Sequence, residues 1–265
     1  MDRVQQLTYL NQALLNDLPQ LAGEVAALPG DEAVQRRLFR ALMNVRPAGL
    51  PLDPEFLTVQ DAFLSAEREA KGVVDAAALP DLPGHPGIAL WQGDITRLKA
   101  DTIVNAANRA LLGCFHPCHG CIDNAIHSAA GLQLREECSQ IMQAQGHPEP
   151  TGQAKITSGY NLPAKYVLHT VGPIISGAVT SRDRKLLASC YRSCLALAAK
   201  RGLKSVAFCC ISTGEFRFPN EKAAAVAVET VTHFLQTPSS IQKVIFNVFQ
   251  NRDLQIYRSI LGQTR

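Results

Sequence analysis

The sequence predicts a three-layer α/β protein, with a mixed or mostly parallel central sheet between helices and an all-helical N-terminal extension. From residue 88 onward, short apolar segments alternate with longer amphipathic ones, as strands and helices do in α/β folds. The short segments are apolar along their whole length, which is typical of strands buried on both faces. Before residue 80, leucines recur only at helical spacing. We therefore expect a helical extension over 1–80 and an α/β domain over 88–265.

The extension contains three predicted helices within residues 1–79. Leucines at helical spacing mark the first helix. Asp31 can cap the second, and Asp53 precedes a proline at the position favoured in the first helical turn. The segment carries no motif with chemistry, which favours a helical cover or a small accessory domain.

A proline- and glycine-rich break, P-D-L-P-G-H-P-G, separates the two parts at 80–87. After it, strands are predicted at 88–92, 101–105, 154–158, 166–171, 206–211 and 243–249. Helices are predicted at 122–130, onward to about residue 142, at 186–201, 219–235 and 253–261. Ligands of such sheets bind at the carboxyl ends of strands. Four stretches fall there: 93–96, 105–108, the loop before residue 122, and 212–219.

Composition excludes several classes of function. A net charge of +3 without a run of Lys or Arg argues against nucleic-acid binding. No stretch reaches the ~18 apolar residues of a membrane-spanning helix. The N-terminus lacks the basic-then-apolar pattern of a secretory signal, so an intracellular, cytoplasmic location is expected. Nothing signals an oligomer, and a monomer is the default expectation. Eight cysteines in such a chain are thiols or metal ligands rather than a disulfide framework.

The most informative stretch is 113–131, G-C-F-H-P-C-H-G-C-I-D-N-A-I-H-S-A-A-G. Cys114, His119 and Cys121 form a Cys-x4-His-x-Cys pattern, and a Cys2His set is a known zinc arrangement with an open fourth position. His116 or Cys118 could complete a closed site, but the short loop would be cramped. A redox thiol pair and an inert loop remain alternatives. The other cysteines are interpreted as core thiols: Cys138, Cys190, Cys194, Cys209 and Cys210.

Other polar residues at strand ends have two interpretations each. Asp94 could accept a hydrogen bond from an adenine amino group or cap the following turn. Asn108 could bind ribose hydroxyls or form a turn. The stretch 211–219 suits a diphosphate or is an ordinary strand–helix turn. Asp123 fits a first-turn acidic residue and could also face a ligand. His127 is interpreted as a packed or surface helix residue.

Taken together, several motifs resemble a macrodomain, an α/β/α module that binds ADP-ribose. They are G-D-I-T, V-N-A-A-N, I-D-N-A-I-H-S-A-A-G, P-T-G-Q-A-K-I-T-S-G-Y, K-Y-V-L-H-T-V-G-P and I-S-T-G-E-F. The resemblance covers residues 88–265 in order. Where MacroD-type hydrolases carry a glycine-rich stretch, this sequence has G-C-F-H-P-C-H-G-C. That departure, with the helical extension, resembles the zinc-dependent macrodomains of microbes, which remove ADP-ribose from modified proteins.

The resemblance implies one zinc ion per chain, held by Cys114, His119 and Cys121. It implies that Asp94 and Ile95 meet adenine, and that Asn108 meets the distal ribose. The remaining implied ligand contacts are Cys121, Ile122, Asp123, Ser212, Thr213, Gly214, Glu215 and Phe216. Asn108, Cys121 and Asp123 are the implied catalytic residues. Phe249 could stack on adenine by position alone.

The implied activity is hydrolysis of mono-ADP-ribose from protein side chains, with a carboxylate ester as the expected linkage. Zinc could hold a ribose hydroxyl or the ester oxygen, or lower the pKa of bound water to ~7. Two alternatives share the same pocket. One is a non-catalytic reader of ADP-ribosylated proteins with a structural zinc, and the other is an O-acetyl-ADP-ribose deacetylase.

Overall fold

A computed structural model describes residues 1–262 and confirms the predicted α/β architecture and its helical extension. Residues 263–265, the end of the predicted domain, lie outside the described residues. In chain order the elements are α1 (Arg3–Asp17), α2 (Ala22–Val25), α3 (Glu32–Val45), α4 (Pro54–Lys71), β1 (Val74–Asp75), β2 (Ile88–Gln92), β3 (Leu98–Lys99), β4 (Thr102–Ala106), α5 (Ile122–Ala130), α6 (Leu132–Gln145), β5 (Ala154–Ser158), β6 (Tyr166–Thr170), α7 (Ser181–Lys200), β7 (Ser205–Phe208), α8 (Asn220–Leu235), β8 (Lys243–Val248) and α9 (Asn251–Ile260).

The extension folds around its own apolar cluster, because α1, α3 and α4 each turn a leucine- or phenylalanine-bearing face inward. The predicted caps are confirmed. Asp31 accepts a hydrogen bond from Val34 N at 3.1 Å, and Asp53 accepts one from Phe56 N at 2.9 Å. The third helix was predicted to end near Gly72, and this is confirmed, since α4 stops at Lys71 with Gly72 as its C-cap. The short strand β1, which lies within the span 1–79 predicted as helical, then pairs in parallel with β3.

The central sheet has six strands in the order β2-β8-β7-β4-β6-β5. Five strands run parallel, and β5 alone is antiparallel to its neighbour β6. Ile103 and Val104 in the middle of β4 are fully buried, as the uninterrupted apolar patterns predicted. The carboxyl ends of β2, β4, β6, β7 and β8 therefore meet at one edge of the sheet.

Two helical layers cover the sheet. Helices α5 and α6 pack together and contact β4 and β5, whereas α7, α8 and α9 form a second group that contacts β5, β6, β2 and β8. Helix α7 begins five residues before its predicted start. Thr180 and Asp183 form a reciprocal capping box there, and the charged first turn gave no apolar periodicity to reveal it.

The extension is joined to the α5–α6 layer. Leu132 of α6 belongs to the apolar cluster of the extension, and its backbone N–H donates to Gln60 Oε1 at 3.0 Å. The exact division at 80–87 stays a prediction. Among the described helices, none has the length and apolar character needed to cross a membrane.

Replacing Leu10 with alanine should destabilise the extension by about 2–5 kcal/mol, because the fully buried side chain would leave a cavity. Leu28→Ala is the matched control, since that leucine is 43% exposed and its loss should cost less than about 0.5 kcal/mol. Urea unfolding followed by circular dichroism measures both variants. Equal stability losses would show that the extension has no packed core of its own.

Candidate functional site

Loops from different strands meet at the carboxyl edge of the sheet. Asn108 follows β4, and its Nδ2 donates to Gly113 O at 3.0 Å, at the start of the cysteine- and histidine-rich loop. At the far side of that loop, His119 Nε2 lies 3.5 Å from Glu215 Oε1 in the segment after β7. The predicted ligand-binding stretches 105–108, 113–121 and 212–216 are therefore neighbours in the fold.

Cys114, His119 and Cys121 converge in the 113–121 loop. Their donor atoms all lie within 4.8 Å of one another, and Cys114 Sγ is 3.7 Å from His119 Nδ1. All three side chains are half-buried. Two sulfurs and one imidazole nitrogen are donors that zinc prefers. The residues present therefore fit a zinc ion, and among residues 1–262 no fourth protein donor joins this cluster.

His116 and Cys118, the two other possible metal ligands of the loop, make contacts outside the donor cluster. The Cys118 thiol donates to Arg37 O at 3.4 Å, on the side facing the extension. The His116 ring packs edge-on against His119, with ring centroids 5.4 Å apart. Neither belongs to the convergent donor cluster, which favours the three-ligand interpretation over a closed four-ligand site.

Cys121 also occupies the N-cap position of α5. Its Sγ accepts the Asn124 N–H at 3.4 Å, as a serine oxygen would at a normal cap. Burial raises the pKa of the Cys121 thiol, and the neighbouring Cys114 and Asp123 raise it further. A thiolate here would need a nearby cation, which a zinc ion supplies.

Arg40, a side chain of the extension, forms hydrogen bonds that hold the 113–121 loop in position. Arg40 on α3 donates to Asn124 Oδ1 at 2.7 and 3.1 Å and to His119 O at 3.1 Å. Asn124 is fully buried, and its Nδ2 donates to His116 O at 3.0 Å. Two backbone carbonyls of the loop thus depend on one buried amide and one guanidinium.

Asn44 and Arg135 add a second set of attachments. Asn44 Oδ1 accepts the Cys118 N–H at 2.9 Å, while its Nδ2 donates to Ser128 Oγ on α5 at 3.0 Å. Arg135 stacks over the Phe115 ring at 4.4 Å. The extension, interpreted from sequence as a helical cover or a small accessory domain, therefore also contacts the loop that carries the donor cluster. Sequence reasoning missed Arg40 and Asn44, because polar side chains four residues apart are common on helices and do not by themselves indicate a contact with a distant loop.

Asp123 lies in the first turn of α5 and is 5% exposed. Its Oδ1 accepts Asn105 Nδ2 at 2.7 Å, and its Oδ2 lies 3.4 Å from Asn108 Nδ2. Burial raises the pKa of Asp123 to about 6, although the Asn105 hydrogen bond and the charge of Arg135 act in the opposite direction. Asn105 is the buried partner that sequence reasoning left out, and its place in V-N-A-A-N was the available signal.

His127 is buried in α5, as a packed residue would be, and its ring lies near His169 and Cys138. Burial lowers the pKa of His127 and lowers that of His169 to about 3, so both rings are neutral. The 3.5 Å approach of His127 Nε2 to Asp123 is therefore not an ion pair. Burial also confirms the core-thiol interpretation for Cys138, Cys190, Cys194 and Cys209, while Cys210 is half-buried.

The segment 212–216 has the backbone of an anion-binding turn. Ser212 adopts a φ of +67°, rare for a residue with a side chain, and its Oγ is buried without a partner. Gly172 permits this, because a Cβ there would lie 1.9 Å from that Oγ. In the described part of the chain, no acceptor takes the backbone N–H of Gly214, Glu215 or Phe216. Free N–H groups in such a turn suit phosphate oxygens.

At the end of β2, Asp94 Oδ1 accepts hydrogen bonds from Thr96 N at 3.0 Å and Thr96 Oγ1 at 2.7 Å. The capping interpretation of Asp94 is thus confirmed, and its second oxygen stays available. Ile95 is 1% exposed, so only its backbone could meet a ligand. Phe249, after β8, is 74% exposed.

The α/β/α sandwich thus has a turn suited to phosphate oxygens beside a Cys2His cluster that could hold a metal, an arrangement typical of modules that bind nucleotide ligands. A family model described as Macro domain matches residues 104–227. A protein-ADP-ribose hydrolase of Treponema medium is 50% identical over 264 residues, covering 99% of this chain and 100% of the relative. One of Staphylococcus aureus (strain MSSA476) is 50% identical and covers 94% of both chains. The chain belongs to the macrodomain family.

Solved structures of macrodomains are also similar to this chain. The Trypanosoma brucei macrodomain in complex with ADP-ribose is 33% identical, with a TM-score of 0.67, covering 83% of this chain and 95% of that one. A mutant Oceanobacillus iheyensis macrodomain with ADPR is 39% identical, with a TM-score of 0.61, covering 66% and 91%.

Asn44→Ala should loosen the 113–121 loop without unfolding the protein. The Cys118 N–H would lose its acceptor, so we expect its hydrogen exchange to quicken by about tenfold, matching about 1.4 kcal/mol of lost protection. Ser128→Ala is the control, because it removes the other hydrogen bond of Asn44 and leaves the Oδ1 acceptor of the Cys118 N–H in place. Exchange resolved to single amides by NMR is the measurement, and unchanged protection in Asn44→Ala would contradict the attachment.

Proposed function

We propose that this chain is a zinc-dependent hydrolase that removes mono-ADP-ribose from modified protein side chains and releases ADP-ribose. The observation that carries the proposal is the cluster of Cys114, His119 and Cys121 in the loop at the carboxyl edge of the sheet, which has no fourth protein donor in the described part of the chain. Relatives matching nearly the full chain are protein-ADP-ribose hydrolases by name. We further propose a carboxylate ester to Asp or Glu as the linkage.

In this proposal ADP-ribose spans the carboxyl edge of the sheet. The free N–H groups of Gly214, Glu215 and Phe216 would bind the diphosphate, together with Ser212 and Thr213 of the same turn. The open carboxylate oxygen of Asp94 would accept the adenine amino group, and the Ile95 backbone would lie beside it. Ile122, at the start of α5, would contact the ligand from the opposite side.

The distal ribose would lie between Asn108 and the Cys114–Cys121 loop. Asn108 Oδ1 accepts the Ala110 N–H at 2.9 Å and keeps a second lone pair for a ribose hydroxyl. The Asp123 carboxylate accepts from the side-chain Nδ2 groups of Asn105 and Asn108. This contact would fix the orientation of the Asn108 amide, and so the direction of its free Oδ1 lone pair. These contacts would place the bond to be cut beside the donor cluster.

Cys114, His119 and Cys121 would hold the zinc. When bound, zinc would supply a Lewis acid for an ester or ribose oxygen and would favour deprotonation of water near neutral pH. Glu215 would face the free Nε2 of His119 and fix the tautomer in which Nδ1 is the donor to the metal. Glu215 would thus have two functions: its backbone N–H would bind the diphosphate, and its carboxylate would orient the His119 ring.

Cys114→Ser and Cys121→Ser should each lower zinc content from one ion per chain to well below one, because zinc binds thiolate far better than a hydroxyl. Cys118→Ser is the control, a thiol of the same loop that points toward Arg37. It should keep one zinc. Mass-spectrometric metal analysis after gel filtration measures all three, with circular dichroism to establish folding. Loss of zinc in Cys118→Ser alone would contradict the ligand assignment.

Incubation with a protein mono-ADP-ribosylated on Asp or Glu tests the activity directly. The wild type should release free ADP-ribose, and Cys121→Ser should be slower by about 100-fold or more, the upper range for disturbed metal sites. Release is followed by chromatography. Binding without release would establish a reader instead, and cleavage of O-acetyl-ADP-ribose with the modified protein untouched would establish a deacetylase. Either result refutes the proposed hydrolase.

A further inference from the structure

A row of three polar side chains, Thr157, His169 and Asn105, crosses the sheet beneath helices α5 and α6. Asn105 of β4 and His169 of β6 are partners in the parallel register, so their side chains leave the same face of the sheet. On β5, Thr157 is two residues from Lys155, the antiparallel partner of His169, and therefore shares that face. All three side chains of this polar row are buried, so they must find hydrogen-bond partners within the protein.

The polar row is hydrogen-bonded from end to end. Thr157 Oγ1 lies 2.9 Å from His169 Nε2, and His169 Nδ1 lies 3.2 Å from Asn105 Nδ2. The same Asn105 Nδ2 donates to Asp123 Oδ1 at 2.7 Å. The other carboxylate oxygen of Asp123 lies 3.4 Å from Asn108 Nδ2. Continuous contacts therefore join a buried hydroxyl on β5 to the side chain of Asn108.

These contacts determine which nitrogen of His169 carries the proton. Burial lowers the pKa of His169 to about 3, so the ring is neutral and has a single N–H group. Because an amide nitrogen only donates, Nδ1 must accept from Asn105, and the proton is left on Nε2. Thr157 Oγ1 accepts that proton, and Cys138 Sγ, at 3.8 Å, is a weaker acceptor beside it.

The His169 tautomer in turn fixes the orientation of the Asn105 amide. If the amide were turned over, its oxygen would face both Asp123 Oδ1 and His169 Nδ1, with one acceptor against another at each contact. In the described part of the chain Asn105 Oδ1 has no hydrogen-bond partner, so the amide is held through its Nδ2 alone. Its orientation thus depends on two acceptors, and one of them is the His169 ring.

We propose that His169 is a positioning residue of the hydrolase. Its Nδ1 lone pair orients the Asn105 amide, which orients the Asp123 carboxylate that holds Asn108. The inference rests on the proposed function, because it takes Asn108 to bind the distal ribose. His169 has no exposed surface and cannot touch a ligand, so it acts only by keeping the ribose in line. A misplacement of about 1 Å at a reacting group can slow a reaction by up to ~100-fold.

His169→Asn and His169→Gln separate positioning from packing. An asparagine oxygen can occupy the place of Nδ1, whereas a glutamine amide reaches the place of Nε2 and leaves Asn105 without its acceptor. Both variants lose the ring, so both should lose similar stability. With a mono-ADP-ribosylated protein as substrate, kcat should fall about tenfold in His169→Gln and about threefold at most in His169→Asn. KM should stay within about threefold of the wild type in both, because the adenine and diphosphate contacts of the proposed site are retained.

Val167→Ala is the matched control for lost packing. Val167 lies on β6, two residues before His169, and is fully buried without a polar contact to make. Its truncation should lower the melting temperature, because it leaves a cavity, while kcat stays that of the wild type.

Thr157→Val and Thr157→Ser test the other end of the polar row without changing the ring. Valine has a similar shape but no acceptor for the Nε2 proton, whereas serine keeps the hydroxyl. Nitrogen NMR of the imidazole should show part of the proton on Nδ1 in Thr157→Val alone. The side-chain amide signals of Asn105 and Asn108 should shift in that variant, and its kcat should fall as in His169→Gln.

A folded His169→Gln variant with the kcat of the wild type would overturn the inference and leave the proposed function standing. Equal losses of kcat in both His169 variants and in Val167→Ala would do the same, because they would reduce His169 to packing. If His169→Gln does not fold, the Thr157 pair decides, and unaltered imidazole and amide signals in Thr157→Val refute the inference. Absence of ADP-ribose release by the folded wild type would instead refute the proposed function, and the inference with it.

Discussion

The position of the 113–121 loop depends on one buried hydrogen-bond network around Asn124. A loop with few apolar contacts has little to hold its shape, because its backbone polar groups must find partners elsewhere. Asn124 and Arg40 supply those partners for the carbonyls of His116 and His119. Leaving one of these buried polar groups without a partner would cost about 1–3 kcal/mol.

This network joins the helical extension to the loop of the α/β domain. Arg40 and Asn44 reach the loop from α3, and α3 is held against α1 and α4 by the apolar cluster of the extension. The stability of that distant cluster is thereby coupled to the placement of Cys114 and Cys121. In the proposed enzyme, the extension would act as the support that keeps three metal donors preorganised, and preorganised donors bind metal without further ordering cost.

Sequence reasoning predicted the layer order, most element bounds and the convergent cysteine and histidine residues, because those depend on local patterns. Caps at Asp31 and Asp53 and the buried strand β4 follow from periodicity and residue type. The attachments made by Arg40 and Asn44 could not be predicted, since they join residues about 80 positions apart. The requirement for glycine at position 172 could not be predicted either. It arises because a Cβ there would overlap Ser212 Oγ, a residue 40 positions later in the chain.

In the proposed enzyme, three protein donors leave one position of a zinc ion open to the ligand. X-ray absorption at the zinc K-edge of the purified protein distinguishes this arrangement from a closed site. We expect two sulfur neighbours at about 2.3 Å and two nitrogen or oxygen neighbours at about 2.0 Å, with the light-atom shell changing when ADP-ribose is added. Three sulfur neighbours would place Cys118 on the metal, and a spectrum unaltered by ADP-ribose would contradict an open position at the cleft.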